Sequence, residues 1–358
     1  MKIPKLSVSR IESVTIPQEK CKVSPSRAAY LSDGCPGCET LRLKMQGAYA
    51  DCTERHLTIA SNPFSPLDGN VLHELAKSYW GKSGINRTEF LDKAEELYEV
   101  ELKKLKSGWK MLGKPQKQLD YNKVAILYQI LQSKNSRKVS SVSNGNIKTE
   151  YDLDSSLGLK GKLDYLWVDG SEAVIKDYKS GAIHDDEGKI KENYSIQLNL
   201  YRLMVCERYP EVKNVRMYLD DFAGHMEEVG RIDDQILKDK IDRLLKSIRS
   251  GEYMPGEDNC RYCMCGHICP NKIWQNPSGQ NYFDMKGEIR KDGKSISIVD
   301  SVRNISVILA PTQSSRDLYD ALEALTGHTV YLTNLRKVKD EPLVCRLTEN
   351  SVACEIEA

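Results

Sequence analysis

Residues 161–179 read Gly161-Lys162-Leu163-Asp164-Tyr165-Leu166-Trp167-Val168-Asp169-Gly170-Ser171-Glu172-Ala173-Val174-Ile175-Lys176-Asp177-Tyr178-Lys179. Two short apolar runs, 163–168 and 173–178, flank Asp169-Gly170, a pair that favours a tight hairpin because both residues tolerate positive φ. The stretch is therefore expected to form two antiparallel strands. Side chains two apart on a strand share a face, so Asp177 and Lys179 should point one way and Tyr178 the other. The hairpin would bring Asp164 toward Asp177. Paired carboxylates suit Mg²⁺ or Mn²⁺, hard ions that prefer oxygen, and a neighbouring ammonium suits a reaction that builds negative charge. These groups are the minimal kit for metal-assisted hydrolysis of a phosphodiester. An isolated Asp-x-Lys fits an ordinary solvated strand end equally well, so the outlying residues decide.

Upstream, Gly69-Asn70-Val71-Leu72-His73-Glu74-Leu75 opens a helical pattern in which His73 is a candidate imidazole ligand to the same metal. Downstream, residues 194–201 read as a helix that places Gln197 and Tyr201 at i and i+4 on one face. That pair would either contact the substrate backbone or brace the lysine. The ordered set His73, Gly161-x-x-Asp164, Asp177-Tyr178-Lys179 and Gln197-x-x-x-Tyr201 resembles the RecB-like branch of the PD-(D/E)XK nucleases, over roughly residues 22–275. The resemblance implies an α/β core: a mixed sheet carries the Asp and the Asp-x-Lys at strand ends, with helices on its flanks. It also implies a metal held by His73, Asp164, Asp177 and the Tyr178 carbonyl, with Lys179 serving the attacking water. On this reading Asp177→Ala should abolish cleavage and leave folding intact. Leu163 before the first Asp, and Asp177 where relatives often carry Glu, depart from the pattern without removing a ligating oxygen.

The chain has eleven cysteines, and its first fourteen residues are polar and lack the apolar segment of a secretory signal, so a reducing, cytoplasmic setting is expected. Clustered cysteines there read as metal ligands rather than disulfides. Cys260-x2-Cys263-x5-Cys269 supplies three thiolates, one short of a cubane cluster. The segment around Cys35-Pro36-Gly37-Cys38 is similar to the place where iron–sulfur nucleases of this branch, such as the CRISPR-associated exonucleases and the AddB nuclease, carry their fourth cysteine. The resemblance thus implies a [4Fe–4S] cluster on Cys35, Cys260, Cys263 and Cys269, stapling the two ends of the nuclease domain. Cys38 is the alternative fourth ligand, zinc the alternative occupant. Cys265 falls outside the set, His267 is a neighbour, and Cys21, Cys52, Cys206, Cys345 and Cys354 read as ordinary small buried residues.

Net charge is only +1, which excludes a generic polycation, and no apolar run approaches the roughly 20 residues that span a bilayer. Residues 101–138 are locally basic, with ten Lys or Arg against Glu101 and Asp120. Trp109 and Tyr121 interleave with them, suiting a groove that tracks a phosphate backbone and stacks on unpaired bases. Helices are expected near 35–48, 67–80, 87–107, 118–134, 194–209 and 231–250. Strands are expected near 11–16, 138–152, 158–168, 172–179 and 213–222. Pro277-Ser278-Gly279-Gln280 reads as a linker between a nuclease domain, 1–275, and a small all-β domain, 276–358.

The second domain shows strands at 282–291, 294–302 and 305–310, a helix at 315–325 capped by Ser314 or Ser315, then strands at 328–337 and 343–356. That is the element order of an OB-fold. Phe283, Tyr331, Arg336 and Lys337 are its candidate contacts to single strands, although ten basic against twelve acidic residues over 281–358 suit protein docking as well. P-loop, nucleophile-elbow, His-Glu-x-x-His and Rossmann patterns are absent. The reading is a Mg²⁺- or Mn²⁺-dependent iron–sulfur DNA exonuclease acting on single strands or ends. The alternative is a non-cleaving DNA-binding adaptor in which the cluster is purely structural. A protein partner through the second domain and a homo-oligomer stay open.

Overall fold

The computed structural model describes residues 3–358 except 18–20, 32–33, 51–64, 80–81, 83, 109–118, 137–145, 180, 222–225, 262, 264, 275–276, 278–279, 349–350 and 358. The expectations at Cys52, at Trp109 and the rest of the basic segment over 109–118, at strand residues 138–145 and at linker residues 278–279 lie outside the described residues.

The expected hairpin is the centre of a five-stranded sheet with the order β2-β3-β4-β5-β6. These strands are β2 (Asn146–Asp154), β3 (Lys160–Asp169), β4 (Glu172–Tyr178), β5 (Asn214–Asp220) and β6 (Met226–Glu228). Gly170 takes a φ of +56° in the two-residue turn, and Asp169 pairs with Glu172 across it. β4 and β5 run parallel, joined by α7 (Glu192–Arg208). Every residue of α7 from Ile196 to Val205 is buried, because the sheet covers one side and other helices the rest. Those covering helices are α2 (Pro25–Leu31) and α8 (Asp234–Ser250). A helix buried all round must satisfy its polar side chains internally. Asn199 therefore bonds the Gly230 carbonyl and the Ile232 amide, and Arg202 bonds Asp234 at 2.7 Å. α8 starts at Asp233, whose carboxylate accepts from the amides of Gln235 and Ile236, and stops at Gly251 in the left-handed region. Helices α4 (Ser65–Tyr79), α5 (Arg87–Gly108) and α6 (Tyr121–Ser136) build a separate apolar cluster against which Tyr178 packs.

The C-terminal strands are β7 (Tyr282–Asp292), β8 (Ser295–Asp300), β9 (Ile305–Ala310), β10 (Thr329–Lys339) and β11 (Val344–Arg346), with α10 (Arg316–Glu323) between β9 and β10. Pairings β7–β8, β8–β9, β9–β11, β11–β10 and β10–β7 return to their start, so five strands close a barrel; only β9–β11 is parallel. The single closing strand expected over 343–356 is two strands. Ser351 turns the chain back by bonding Thr348 and the Asn334 carbonyl, and β12 (Ala353–Glu357) follows. Ser315 precedes α10 without capping it; its hydroxyl is spent on the Leu347 carbonyl at 3.0 Å.

The strand expected over 11–16 is not formed. Ser7 caps a short helix, α1 (Val8–Glu12), and the strand lies just before it, β1 (Lys5–Ser7), parallel to β12. β1 thereby crosses the 275/276 division. Leu6 and Ile11, together with Leu41 and Met45 of α3 (Pro36–Ala48), share one core with Ile289, Leu322 and Tyr331 of the barrel. Leu6→Ala should cost about 2–5 kcal/mol, the range for a leucine removed from a full core. Thermal unfolding checks this, and a wild-type melt would place β1 outside the core.

Two candidate stacking rings are likewise core. Phe283 is 4% exposed and Tyr331 1% exposed, so neither offers a face to a base. Among the described residues no helix is long and apolar enough to cross a membrane.

Candidate active site and cysteine centre

The β3–β4 ladder ends at the pair Tyr165–Lys176, and the next residues on each strand are Asp164 and Asp177. Beyond that point the Asp164 side chain replaces the ladder: its Oδ2 accepts from the Tyr178 amide at 2.7 Å. Its other oxygen lies 3.6 Å from Nδ1 of His73, which α4 delivers from above the sheet. The edge of the His73 ring meets the Tyr178 ring at 6.1 Å between centroids.

Asp177 and Lys179 share a face, as strand geometry requires, and α7 covers them. Lys179 Nζ is 2.7 Å from Asp177 Oδ2 and donates to Gln197 Oε1 at 2.8 Å; Gln197 Nε2 donates to Asp177 Oδ1 at 2.7 Å. The three side chains close a triangle, with the Tyr194 ring 4.4 Å from the ammonium. Tyr201, one turn on, donates to the Lys162 carbonyl at 2.7 Å. Both helix residues are buried, and their contacts are bracing ones within the protein. Gly161 makes this approach possible, since a Cβ there would stand 2.6 Å from Pro25 and 3.0 Å from the Tyr201 hydroxyl.

Burial holds Asp164 protonated to unusually high pH, with the Asp177 charge adding to the effect, so its carboxyl is pushed up to about 8. Burial also lowers the His73 pKa against the opposing pull of Asp177 and Glu150, which keeps the imidazole neutral at neutral pH. A carboxyl raised in this way binds more protons folded than unfolded. Its contribution to stability is complete below the ordinary carboxylate range and is lost as pH rises toward 8. The metal-free protein should therefore melt progressively lower between about pH 5 and about pH 8, and Asp164→Asn should flatten the dependence. Thermal melts in a pH series test this. A wild-type slope unchanged in the variant would remove Asp164 as its source.

Glu150 was not anticipated. It sits on β2, and its carboxylate joins His73 and Asp164 in a group whose donor atoms all lie within 4.8 Å of one another. The same residues line a small cleft with Lys77, Thr149 and Tyr178. A glutamate in a polar strand carries no sequence signal of its own. The only hint was alternation, which places residue 150 across from 164 once the register is known.

The cysteines converge from both ends of this region. Cys35 precedes α3, with Pro36 at its first position; Cys260 lies in α9 (Glu257–Arg261), and Cys263 and Cys269 follow in a loop. Cys35, Cys38, Cys260, Cys263 and Cys269 line one small cavity. Four of them face backbone amides: Met254 N donates to Cys35 Sγ and Ile273 N to Cys260 Sγ, each at 3.3 Å. The Cys265 amide serves Cys263 and the Asn271 amide serves Cys269. Cys38 differs: the Arg27 guanidinium donates to its sulfur at 3.1 Å. Hydrogen bonds from the Cys263 and Cys265 thiols, helped by Arg27, hold the Cys38 thiol far below its ordinary range. Cys265 is fully buried and donates to the Cys38 carbonyl. No disulfide forms among the described cysteines. The loop is tied to the barrel by Lys272, which bonds the Tyr331 hydroxyl at 2.8 Å; Tyr331 in turn donates to Asp284. His267 is buried beside the same ring.

A family model described as the PD-(D/E)XK nuclease superfamily matches residues 48–270. The chain belongs to the PD-(D/E)XK nuclease superfamily. The match takes in His73, Asp164, Asp177, Lys179, Gln197 and Tyr201, all of which the structure gathers around one end of the β3–β4 hairpin. No curated protein matches the chain. Two solved structures are similar to parts of this nuclease. That of SSO0001 is 18% identical with a TM-score of 0.26, covering 52% of this chain and 82% of its own. That of a proposed exonuclease from Eubacterium rectale is 14% identical with a TM-score of 0.28, covering 62% of this chain and 91% of its own. The superfamily uses divalent metals, and the His73–Glu150–Asp164 group supplies the mixed imidazole and carboxylate donors that such an ion accepts.

Proposed function

We propose that this nuclease is a Mg²⁺- or Mn²⁺-dependent DNA exonuclease of the RecB-like iron–sulfur branch, acting on single strands or DNA ends. The observation that carries the reading is the closed Asp177–Lys179–Gln197 triangle beside Asp164 and His73. In it His73, Asp164 and Asp177, with the Tyr178 carbonyl, hold the metal. A bound divalent ion lowers the pKa of water and neutralises charge on the phosphoryl oxygens. Lys179 has three N–H donors, of which Gln197 accepts from one while Asp177 supplies the counter-charge. A remaining donor is left to orient a water or to meet the charge that develops on the phosphate. Gln197 fixes the lysine, and Tyr201 fixes the strand that carries Asp164.

The [4Fe–4S] assignment to Cys35, Cys260, Cys263 and Cys269 is supported by the donor set. Each of these sulfurs faces a backbone amide, the environment thiolates take around such clusters. Cys38 is instead paired with Arg27, which favours Cys35 as the fourth ligand.

The closed circuit of β7, β8, β9, β11 and β10, with one parallel pairing and a helix before β10, supports an OB-like reading of residues 276–358. With Phe283 and Tyr331 inside, that barrel suits docking and support better than base stacking.

The test is a cleavage assay on anaerobically purified protein, using single- and double-stranded DNA labelled at either end, with Mn²⁺, Mg²⁺ or EDTA. Metal-dependent shortening from an end is expected. Binding without cleavage under any metal would sink the exonuclease reading.

A further inference from the structure

Glu150 is built into an arrangement that ordinary strand chemistry disfavours. Thr149 pairs with Tyr165 and Tyr151 with Leu163, so the register passes unshifted through position 150, which lies across from Asp164. Residues opposite each other on neighbouring strands share a face, so the two carboxyl groups are brought together. The backbone at Glu150 also has a φ of +51°, in the left-handed region that glycine or asparagine fills at little cost and glutamate seldom enters. Local strain of this kind persists where the surrounding structure imposes it for a purpose.

Solvation does not account for the placement either. The Glu150 side chain is only 20% exposed, and its cationic neighbour Lys162, 3.6 Å away, is itself 51% exposed at the mouth of the cleft. Behind it, His73 and Asp164 complete a set in which an imidazole nitrogen and two carboxylate oxygens lie within 4.8 Å of one another. Asp177 is held by Gln197 and Lys179.

Resting on the nuclease reading above, we infer that Glu150 is a divalent-cation ligand, completing with His73 and Asp164 a three-donor seat and so adding a ligand from β2 to the metal site proposed above. The imidazole in the set favours Mn²⁺ over Mg²⁺. A cation seated there gives Glu150 a role in the site rather than as a surface partner of Lys162.

The experiment is Mn²⁺ titration calorimetry on the intact protein without DNA, comparing wild type, Glu150→Gln, Asp164→Asn and Lys162→Met, with metal-free melting of each. Glu150→Gln is expected to weaken Mn²⁺ binding on the order of tenfold or more, because removing a ligand charge lowers affinity. It should melt like wild type without metal, since the amide fills the same space and its partner Lys162 is half exposed. Lys162→Met should bind Mn²⁺ at least as tightly as wild type. Unchanged binding by Glu150→Gln, where Asp164→Asn has lost it, overturns the Glu150 assignment alone. No Mn²⁺ binding by the wild type overturns both the assignment and the metal-dependent nuclease reading. A lower metal-free melt for Glu150→Gln, matched by Lys162→Met, would make the residue a structural ion-pair partner.

Discussion

Asp177→Asn is expected to cut DNA cleavage by at least about 10³-fold while the protein stays folded. Loss of one preorganised electrostatic contact in an active site already costs roughly 10²–10³ in rate, and Asp177 pairs with Lys179 and is proposed to hold the metal. The amide keeps a carbonyl for Gln197 Nε2 and fills the same space. Asp177→Ala is a different experiment. Asp177 is 5% exposed, and removing its carboxylate leaves the largely buried Lys179 ammonium without its counter-charge. Breaking a buried pair from one side costs up to about 3–5 kcal/mol, so the alanine variant should be inactive and also melt lower. This burial argues for a cost in stability where the sequence alone led to the expectation that alanine would leave folding intact. Lys179→Met should match the loss in cleavage while retaining Mn²⁺ binding. Initial rates on end-labelled single strands, alongside melting curves, check all three. An active Asp177→Asn enzyme would remove this site from the chemistry.

Cys260→Ala is expected to abolish bound iron and lower the melting temperature by at least about 10 °C. Metal centres assembled from sequence-distant cysteines convert binding free energy into folding free energy, and a few kcal/mol corresponds to roughly 2–4 °C each in a chain of this size class. The tether here is long in sequence: Cys35 meets the amide of Met254, 219 residues away. The damage should spread, because Cys38, Cys265 and Ile268 belong to the same core as the barrel strands. Iron analysis and calorimetry of protein prepared without oxygen test this. A variant that melts like wild type while holding no iron would refute the stapling role.

The hairpin was legible because alternation and Asp169-Gly170 act locally, and the side chains of Asp177 and Lys179 follow from a period of two. The cysteine cluster was legible because its spacing has few other uses. Glu150 was not, since its role depends on a cross-strand register and on one backbone angle that no local pattern specifies. Phe283 and Tyr331 were read as surface aromatics because a closed barrel, unlike an open sheet, turns every second residue inward, and which row faces in is set by closure. The lead-in around Ile11 failed for a related reason: Ser7 starts a helix at once, and the true strand, only three residues long, exists because β12 is there to receive it.

That last pairing has a bearing on how the polypeptide is made. Lys5, Leu6 and Ser7 are synthesised long before the strand they join, Ala353–Glu357. Leu6 and Ile11 must wait without their core while nearly everything between them and that strand is translated. The all-β segment expressed alone from residue 276 would lack those same side chains. A nascent chain of this protein should accordingly gain protease resistance over residues 5–11 only after β12 has been made, and a segment supplying residues 3–49 in trans is the natural partner for a barrel made on its own.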